Sequence, residues 1–209
     1  MEKSQLTGAS LVLLIAGLGG SLPAWADGST TVGGKIYTDI TNISSTPKSS
    51  GDGFGVDVKR FYFGADHTFD DQWSANITTD FTHGSAGEKT QVFVKKAYFQ
   101  YKISDTATLR MGSADMPWIP YAEHAYGFRY VEPTLVDKFE KGSTSADWGL
   151  HLMGKTDMVD YQVSLVNGSG YASLNRSKSM DISARLGLHP VQGLTLAIGG
   201  RSGKHGSEL

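Results

Sequence analysis

Residues 73–81 read Trp73-Ser74-Ala75-Asn76-Ile77-Thr78-Thr79-Asp80-Phe81. Trp73, Ala75, Ile77 and Phe81 fall on one side, Ser74, Asn76, Thr78 and Asp80 on the other. That is period two, the mark of a strand with one apolar and one polar face. The pattern recurs on both sides of this stretch. Residues 57–69 set Phe61, Phe63, Ala65 and Phe69 against Arg60, Tyr62, Gly64 and Asp66. Residues 92–103 set Phe93, Ala97, Phe99, Tyr101 and Ile103 against Lys96, Tyr98 and Gln100. Five more segments follow: Leu109 and Met111; Trp148, Leu150 and Leu152; Tyr161, Val163 and Leu165; Ile182, Ala184, Leu186 and Leu188; and Leu194, Leu196 and Ile198, each interleaved with polar or small residues. With a less regular first segment around Lys35 to Ile43, the chain carries about nine strands.

The links between segments alternate in length. Long ones fall at about 44–56, 82–91, 114–146 and 167–179, and tight ones at 70–72, 104–107, 155–158 and 189–193. The tight links carry turn residues, among them Asp70-Asp71-Gln72, Lys155-Thr156-Asp157 and His189-Pro190-Val191-Gln192-Gly193. Transmembrane β-barrels are built with short turns at one rim and longer loops at the other. The expected fold is therefore all-β, a transmembrane antiparallel barrel. A soluble β-sandwich also has two-faced strands. It does not require loops sorted by length, nor aromatics such as Phe69, Trp73, Tyr101 and Tyr161 at strand ends, where barrels place their interfacial girdles. Lys95 sits on an otherwise apolar face and is expected to snorkel toward the membrane surface.

Composition fits this architecture. The 209 residues include 26 Gly, 11% aromatic residues and no Cys, with a formal net charge of −2. The charge excludes the basic footprint of a nucleic-acid binder, and the absence of Cys excludes a disulfide scaffold. Residues 1–26 read as a signal peptide: an apolar run, Leu11 to Ala16, precedes Ala24-Trp25-Ala26, whose small residues suit a signal peptidase. The dense apolar core is about ten residues, short of the ~20 a spanning helix needs. Residues 27–209 are then exported and form one unit. A closed single-chain bacterial barrel has an even strand number, so nine strands read as the N-terminal portion of a larger barrel of about sixteen.

Polar strand faces would line a water-filled channel. The basic candidates are Lys35, Arg60, Lys96, Arg110, Arg185 and Arg201; the acidic ones are Asp39, Asp66, Asp80, Asp147, Asp160 and Asp181. Six against six gives no ion preference by counting. Rings of like charge would create one, and pairing across adjacent strands would cancel it. The link after the fifth strand is long enough to be functional. In general porins the loop in that slot folds into the lumen and narrows it. Asp115, Tyr126, Arg129 and Lys138 are its candidates for a constriction.

Asp57-Val58-Lys59-Arg60, Asp71-Gln72-Trp73 with Asp80-Phe81, Lys96-Ala97-Tyr98 with Tyr101-Lys102, and Thr108-Leu109-Arg110-Met111-Gly112 with Met116-Pro117-Trp118 resemble, in order and spacing, the phosphate-selective porins O and P. The resemblance covers about residues 34–166. It implies a sixteen-stranded barrel, usually trimeric, in the bacterial outer membrane, with an arginine-lined constriction for anions near Arg60, Arg110 and Arg129. Where that family often has Lys, any residue, Pro, Phe, Gly, this chain has Asp115-Met116-Pro117-Trp118-Ile119, with an acid in the basic position. The expected function is passive diffusion of small hydrophilic solutes or ions, with a possible anion or phosphate preference. The expected partners are outer-membrane lipid and the permeating solutes, and no cofactor is called for.

Two rival readings remain. One is a small non-channel barrel with a structural or adhesive role. The other is an outer-membrane hydrolase, which needs a Ser–His pair on one strand face, and no two segments offer one convincingly. His83-Gly84-Ser85-Ala86-Gly87 lacks the Gly that a nucleophile elbow needs two residues before its Ser. The six His show no metal-ligand spacing.

Overall fold

The computed structural model describes residues 28–43, 53–82, 89–139, 144–174 and 179–206. The leader at 1–26, the side chains of Asp39 and Asp57, and the segment 83–87 lie outside the described residues. Nine strands form one antiparallel sheet in sequence order. They are β1 (Ser29–Ile43), β2 (Gly53–Thr68), β3 (Trp73–Thr82), β4 (Gln91–Ser104), β5 (Ala107–Asp115), β6 (Ala146–Lys155), β7 (Val159–Val166), β8 (Asp181–Val191) and β9 (Leu194–Ser202). Two short helices, α1 (Ile119–Tyr126) and α2 (Leu135–Phe139), lie in the link between β5 and β6. Every strand pairs with its neighbours in sequence, so among the described residues β1 and β9 are each hydrogen-bonded on one side only. No described helix is long and apolar enough to cross a membrane.

The sheet is inside out relative to a soluble protein. Val56, Phe63, Ile77, Phe99, Leu150, Leu165, Leu186 and Ile198, drawn from seven strands, are exposed, up to 72% for Ile198. Asp80, Ser113, Asp147, His151, Ser164 and Asp181 are buried, with Asp80 and Asp181 at 0%. Water would reverse this arrangement, because burying an unpaired charge is costly and exposing apolar side chains gains nothing. Lipid around the sheet would favour it.

The two kinds of link fall at opposite ends of the strands. At the short-turn end, Asp70 Oδ1 accepts hydrogen bonds from the backbone N–H groups of Gln72 (2.8 Å) and Trp73 (2.7 Å), an Asx turn that fixes the β2–β3 hairpin. In the next turn Lys102 Nζ reaches Asp105 Oδ1 at 2.6 Å, and that ammonium holds the exposed Asp105 carboxyl below its ordinary value. Trp73 and Tyr101 face each other in register with ring centroids 4.7 Å apart, and the Tyr161 hydroxyl donates to the Thr106 carbonyl at 3.2 Å. The expected aromatics at the strand ends therefore gather at the short-turn rim.

Two register shifts correct the simple alternation. Opposite Thr78 and Thr79 of β3 stand Lys96 and Val94 of β4, so Lys95 is an extra residue in its strand. Opposite Tyr37 and Thr38 stand Arg60 and Val58, so Lys59 is extra in β2. Each is a β-bulge, which re-aims a side chain and resets which residues face inward. Lys95 thus does not snorkel outward: its ammonium lies 3.3 Å from the Tyr62 hydroxyl and 4.7 Å from the Tyr62 ring centroid. Before the bulge the phase is reversed. Phe93 stands opposite the inward Asp80, while Val92 and Val94 are exposed, so Phe93 leaves the apolar face expected for it.

Candidate functional site: a loop laid on the polar face

The link from Met116 to Ser145 is tied at its neck by the Met116 N–H donating to the Ser145 carbonyl at 3.0 Å. It turns onto the polar face of the sheet. Met116, Pro117 and Ile119 are buried there. Pro120 stands in the first turn of α1, where its missing N–H is harmless, and Gly127 ends the helix with φ 74°, its N–H donating to the Glu123 carbonyl at 3.0 Å. Between this loop and the inner face of β1–β5 lies a cavity of about 580 Å³. Its lining includes Lys35, Tyr37, Tyr62, Asp66, Asn76, Lys95, Lys96, Tyr98 and Asp115 from the wall, with Pro120, Glu123 and Arg129 from the loop.

The predicted site residues divide into three groups. Lys35, Asp66, Lys96, Asp115 and Arg129 meet around the cavity. There Lys96 Nζ lies 3.0 Å from Asp115 Oδ2, and Arg129 Nε lies 2.6 Å from Glu123 Oε1, with Arg129 Nη2 3.4 Å from Asp137. Asp66 accepts a hydrogen bond from Asn76 Nδ2 at 2.8 Å. Arg110 stands beside this group, its Nη1 3.9 Å from Asp115, its Nε donating to Gln100 and its guanidinium 4.6 Å from the Tyr98 ring centroid. Asp115 is the last residue of β5 and belongs to the wall rather than the loop.

A second group is bound up in the wall. Arg60 pairs with Asp80 at 2.8 Å, Arg185 with Asp160 at 2.5 Å and Arg201 with Asp181 at 2.6 Å, each across adjacent strands. Asp181 also accepts the backbone N–H groups of Lys204 (2.8 Å) and His205 (3.1 Å). Three of the six acids expected to face the lumen are therefore neutralised by three of the six bases. A fourth, Asp147, is fully buried and accepts the N–H groups of Trp148 and Gly168. The third group is loop residues away from the cavity lining: Tyr126 and Lys138 are exposed, and the Tyr126 ring packs edge-on to Phe128 at 5.8 Å.

Tyr37, Tyr62, Tyr98 and Lys95 were not among the pore-lining candidates: the three tyrosines stand on the polar faces, and Lys95 was expected to point outward. The signal for Lys95 was the adjacent pair Lys95-Lys96, two charges in succession where a regular strand would bury one. The link after β7 also folds inward. Trp148 Nε1 donates to the Tyr171 carbonyl at 3.1 Å, and the Tyr171 ring stacks on Phe93 with centroids 5.7 Å apart. The structure does bring together a Ser–His pair, contrary to expectation: His151 Nδ1 lies 2.9 Å from Ser164 Oγ. Both residues are at 0% exposure, and Gln162 Nε2 also donates to that hydroxyl, so the pair is packing and offers no nucleophile to a substrate. Among the described residues no group of three or more metal-ligating side chains gathers.

Residues 31–119 match the family of phosphate-selective porins O and P. The resemblance carried by the motifs between Asp57 and Trp118 is thereby borne out over that stretch. The match ends at the start of α1. No curated protein matches the chain.

Proposed function

We propose, with the family match over residues 31–119 as the premise, that this chain builds the wall and constriction of an outer-membrane porin through which small hydrophilic solutes diffuse. One observation carries this reading: an apolar exposed face runs along a sheet whose opposite face holds charges, a folded-in loop and a cavity of about 580 Å³. A water-filled passage needs polar walls and an apolar exterior for lipid, and a sheet with one polar and one exposed apolar face supports that reading. The leader at 1–26 would be removed on export, outer-membrane lipid would cover the apolar face, and a homotrimer fits the family.

A bias toward small anions follows from which charges are left over at the cavity. Lys96 pairs with Asp115, and Arg129 with Glu123 and Asp137. Among the described residues no carboxylate lies within 4 Å of Lys35 or Lys95, and no cation lies within 4 Å of Asp66. With Arg110, which also reaches Asp115, five cations (Lys35, Lys95, Lys96, Arg110 and Arg129) stand against four carboxylates (Asp66, Asp115, Glu123 and Asp137), a surplus of one positive charge, and a lumen's selectivity follows its uncompensated charge. Asp115 beside Lys96 and Arg110 argues for anions in general rather than phosphate in particular. The test is conductance of the full-length protein in planar bilayers under a salt gradient. The expected result is an open, ohmic pore whose zero-current potential lies on the anion side; a folded barrel that carries no current would overturn the channel, and a potential on the cation side would overturn the bias.

A further inference from the structure

Arg185 stands on an inward position of β8, where a sequence reading makes it a charge offered to passing solutes. It is instead almost wholly enclosed, its side chain 7% exposed. Three groups enclose it. Its Nε donates to the Pro117 carbonyl at 2.8 Å, its guanidinium carbon sits 3.7 Å from the centroid of the Tyr121 ring, and Nη1 meets Asp160 at 2.5 Å. Pro117 and Tyr121 belong to the loop, and Asp160 belongs to β7 in the wall. Gln162, also on β7, adds a bond from Nε2 to the Asp115 carbonyl at 2.6 Å, where the loop leaves β5. At the loop's far side the contact with β1 is looser, an edge-on meeting of Tyr130 and Tyr37 with centroids 6.5 Å apart.

The geometry points to Arg185 as the positioning residue that clamps the loop to the wall and so sets the cross-section of the passage, without itself meeting solute. This rests on the channel reading above. A planar guanidinium suits the task because its donors lie in the plane and its face is free to stack, so one side chain can bind a carbonyl, a carboxylate and a ring together. The Tyr121 hydroxyl is buried and has no partner among the described residues, so what the tyrosine offers Arg185 is its ring.

The test uses the full-length protein and three variants. Arg185→Met removes the clamp. It should still fold, because His189 Nε2 lies 2.6 Å from Asp160 and remains to hold that carboxylate. Tyr121→Ala removes the ring from the loop and leaves the Arg185–Asp160 pair in the wall, which keeps the proposal testable if Arg185→Met misassembles. Tyr121→Phe keeps the ring. Two readouts are taken: open-channel current noise in bilayers, and tryptic cleavage after the exposed Lys138 in detergent-folded protein. Cleavage reports how often the loop leaves the wall and does not depend on conduction. Arg185→Met and Tyr121→Ala are expected to raise the noise severalfold and to speed cleavage about tenfold, while Tyr121→Phe matches the parent. Folded variants with parental noise and parental cleavage would overturn the clamp. A parent that folds but does not conduct would overturn the channel reading alone, since the cleavage assay still decides the clamp.

Discussion

At Lys95 the fourth strand holds one residue more than the strand beside it, and that surplus turns an ammonium from the exposed apolar face to the polar one. The group then rests on the Tyr62 ring and lies 5.6 Å from the Tyr171 ring centroid, with no carboxylate within 4 Å of it among the described residues. A cation held by an aromatic face keeps its full field, whereas one held by a carboxylate, like Arg201 by Asp181, contributes little beyond its own pair. Lys95→Gln is therefore expected to lower the anion-to-cation permeability ratio on the order of twofold, the effect of one unit charge across ~10 Å of water. Zero-current potentials in a salt gradient measure it. Lys96→Gln, which leaves Asp115 only its longer contact with Arg110, should lower the ratio as well.

Among the elements, the strands and their hairpins were legible because alternation and turn chemistry are local properties of the chain. The run from Trp73 to Phe81 displays its two faces within nine residues, and Asp70 marks its turn directly. The bulges were not legible in the same way, since a one-residue surplus is defined by the partner strand and leaves only an adjacent charged pair as its trace. The role of Arg185 was hidden for a different reason. A solute-facing arginine and a loop-clamping arginine occupy the same inward position, and only the placement of Pro117 and Tyr121 on the folded loop tells them apart. Where the backbone itself is unusual, the demand on sequence is sharp. Gly112 in β5 has φ +130°, and a Cβ there would stand 2.2 Å from the Ala97 carbonyl oxygen in the β4–β5 ladder. Gly112→Ala should cost about 1–3 kcal/mol in backbone strain alone, with the clash added. Urea titration of the refolded protein in detergent or lipid should show a lower midpoint, and an unchanged midpoint would refute the strain.

For the molecule as a whole, the decisive property is which face meets lipid. Leu150 lies in the middle of β6 on the apolar face, exposed and opposite Met111 of β5 and Leu165 of β7. If that face is in the bilayer, Leu150→Arg should destabilise the folded protein in lipid vesicles by about 2–4 kcal/mol, the cost of a guanidinium near the midplane. In a sandwich whose solvent face this was, the same change would be neutral. Equilibrium unfolding from vesicles distinguishes the two outcomes.

The strictly sequential strand order bears finally on the sequence of folding events. Each strand finds its partner next along the chain, so the sheet can zip hairpin by hairpin, and even the long link between β5 and β6 adds little closure entropy because that cost grows only slowly with length. The loop contacts are of another kind: Gln162 reaches back 47 residues to Asp115, and Arg185 reaches back 68 to Pro117. Those bonds cannot form until β7 and β8 have joined the sheet. Assembly is thus expected to pass through a stage in which the wall exists and the passage is still unobstructed, with narrowing as a late event. Time-resolved protection of the loop against protease should lag behind the appearance of strand structure.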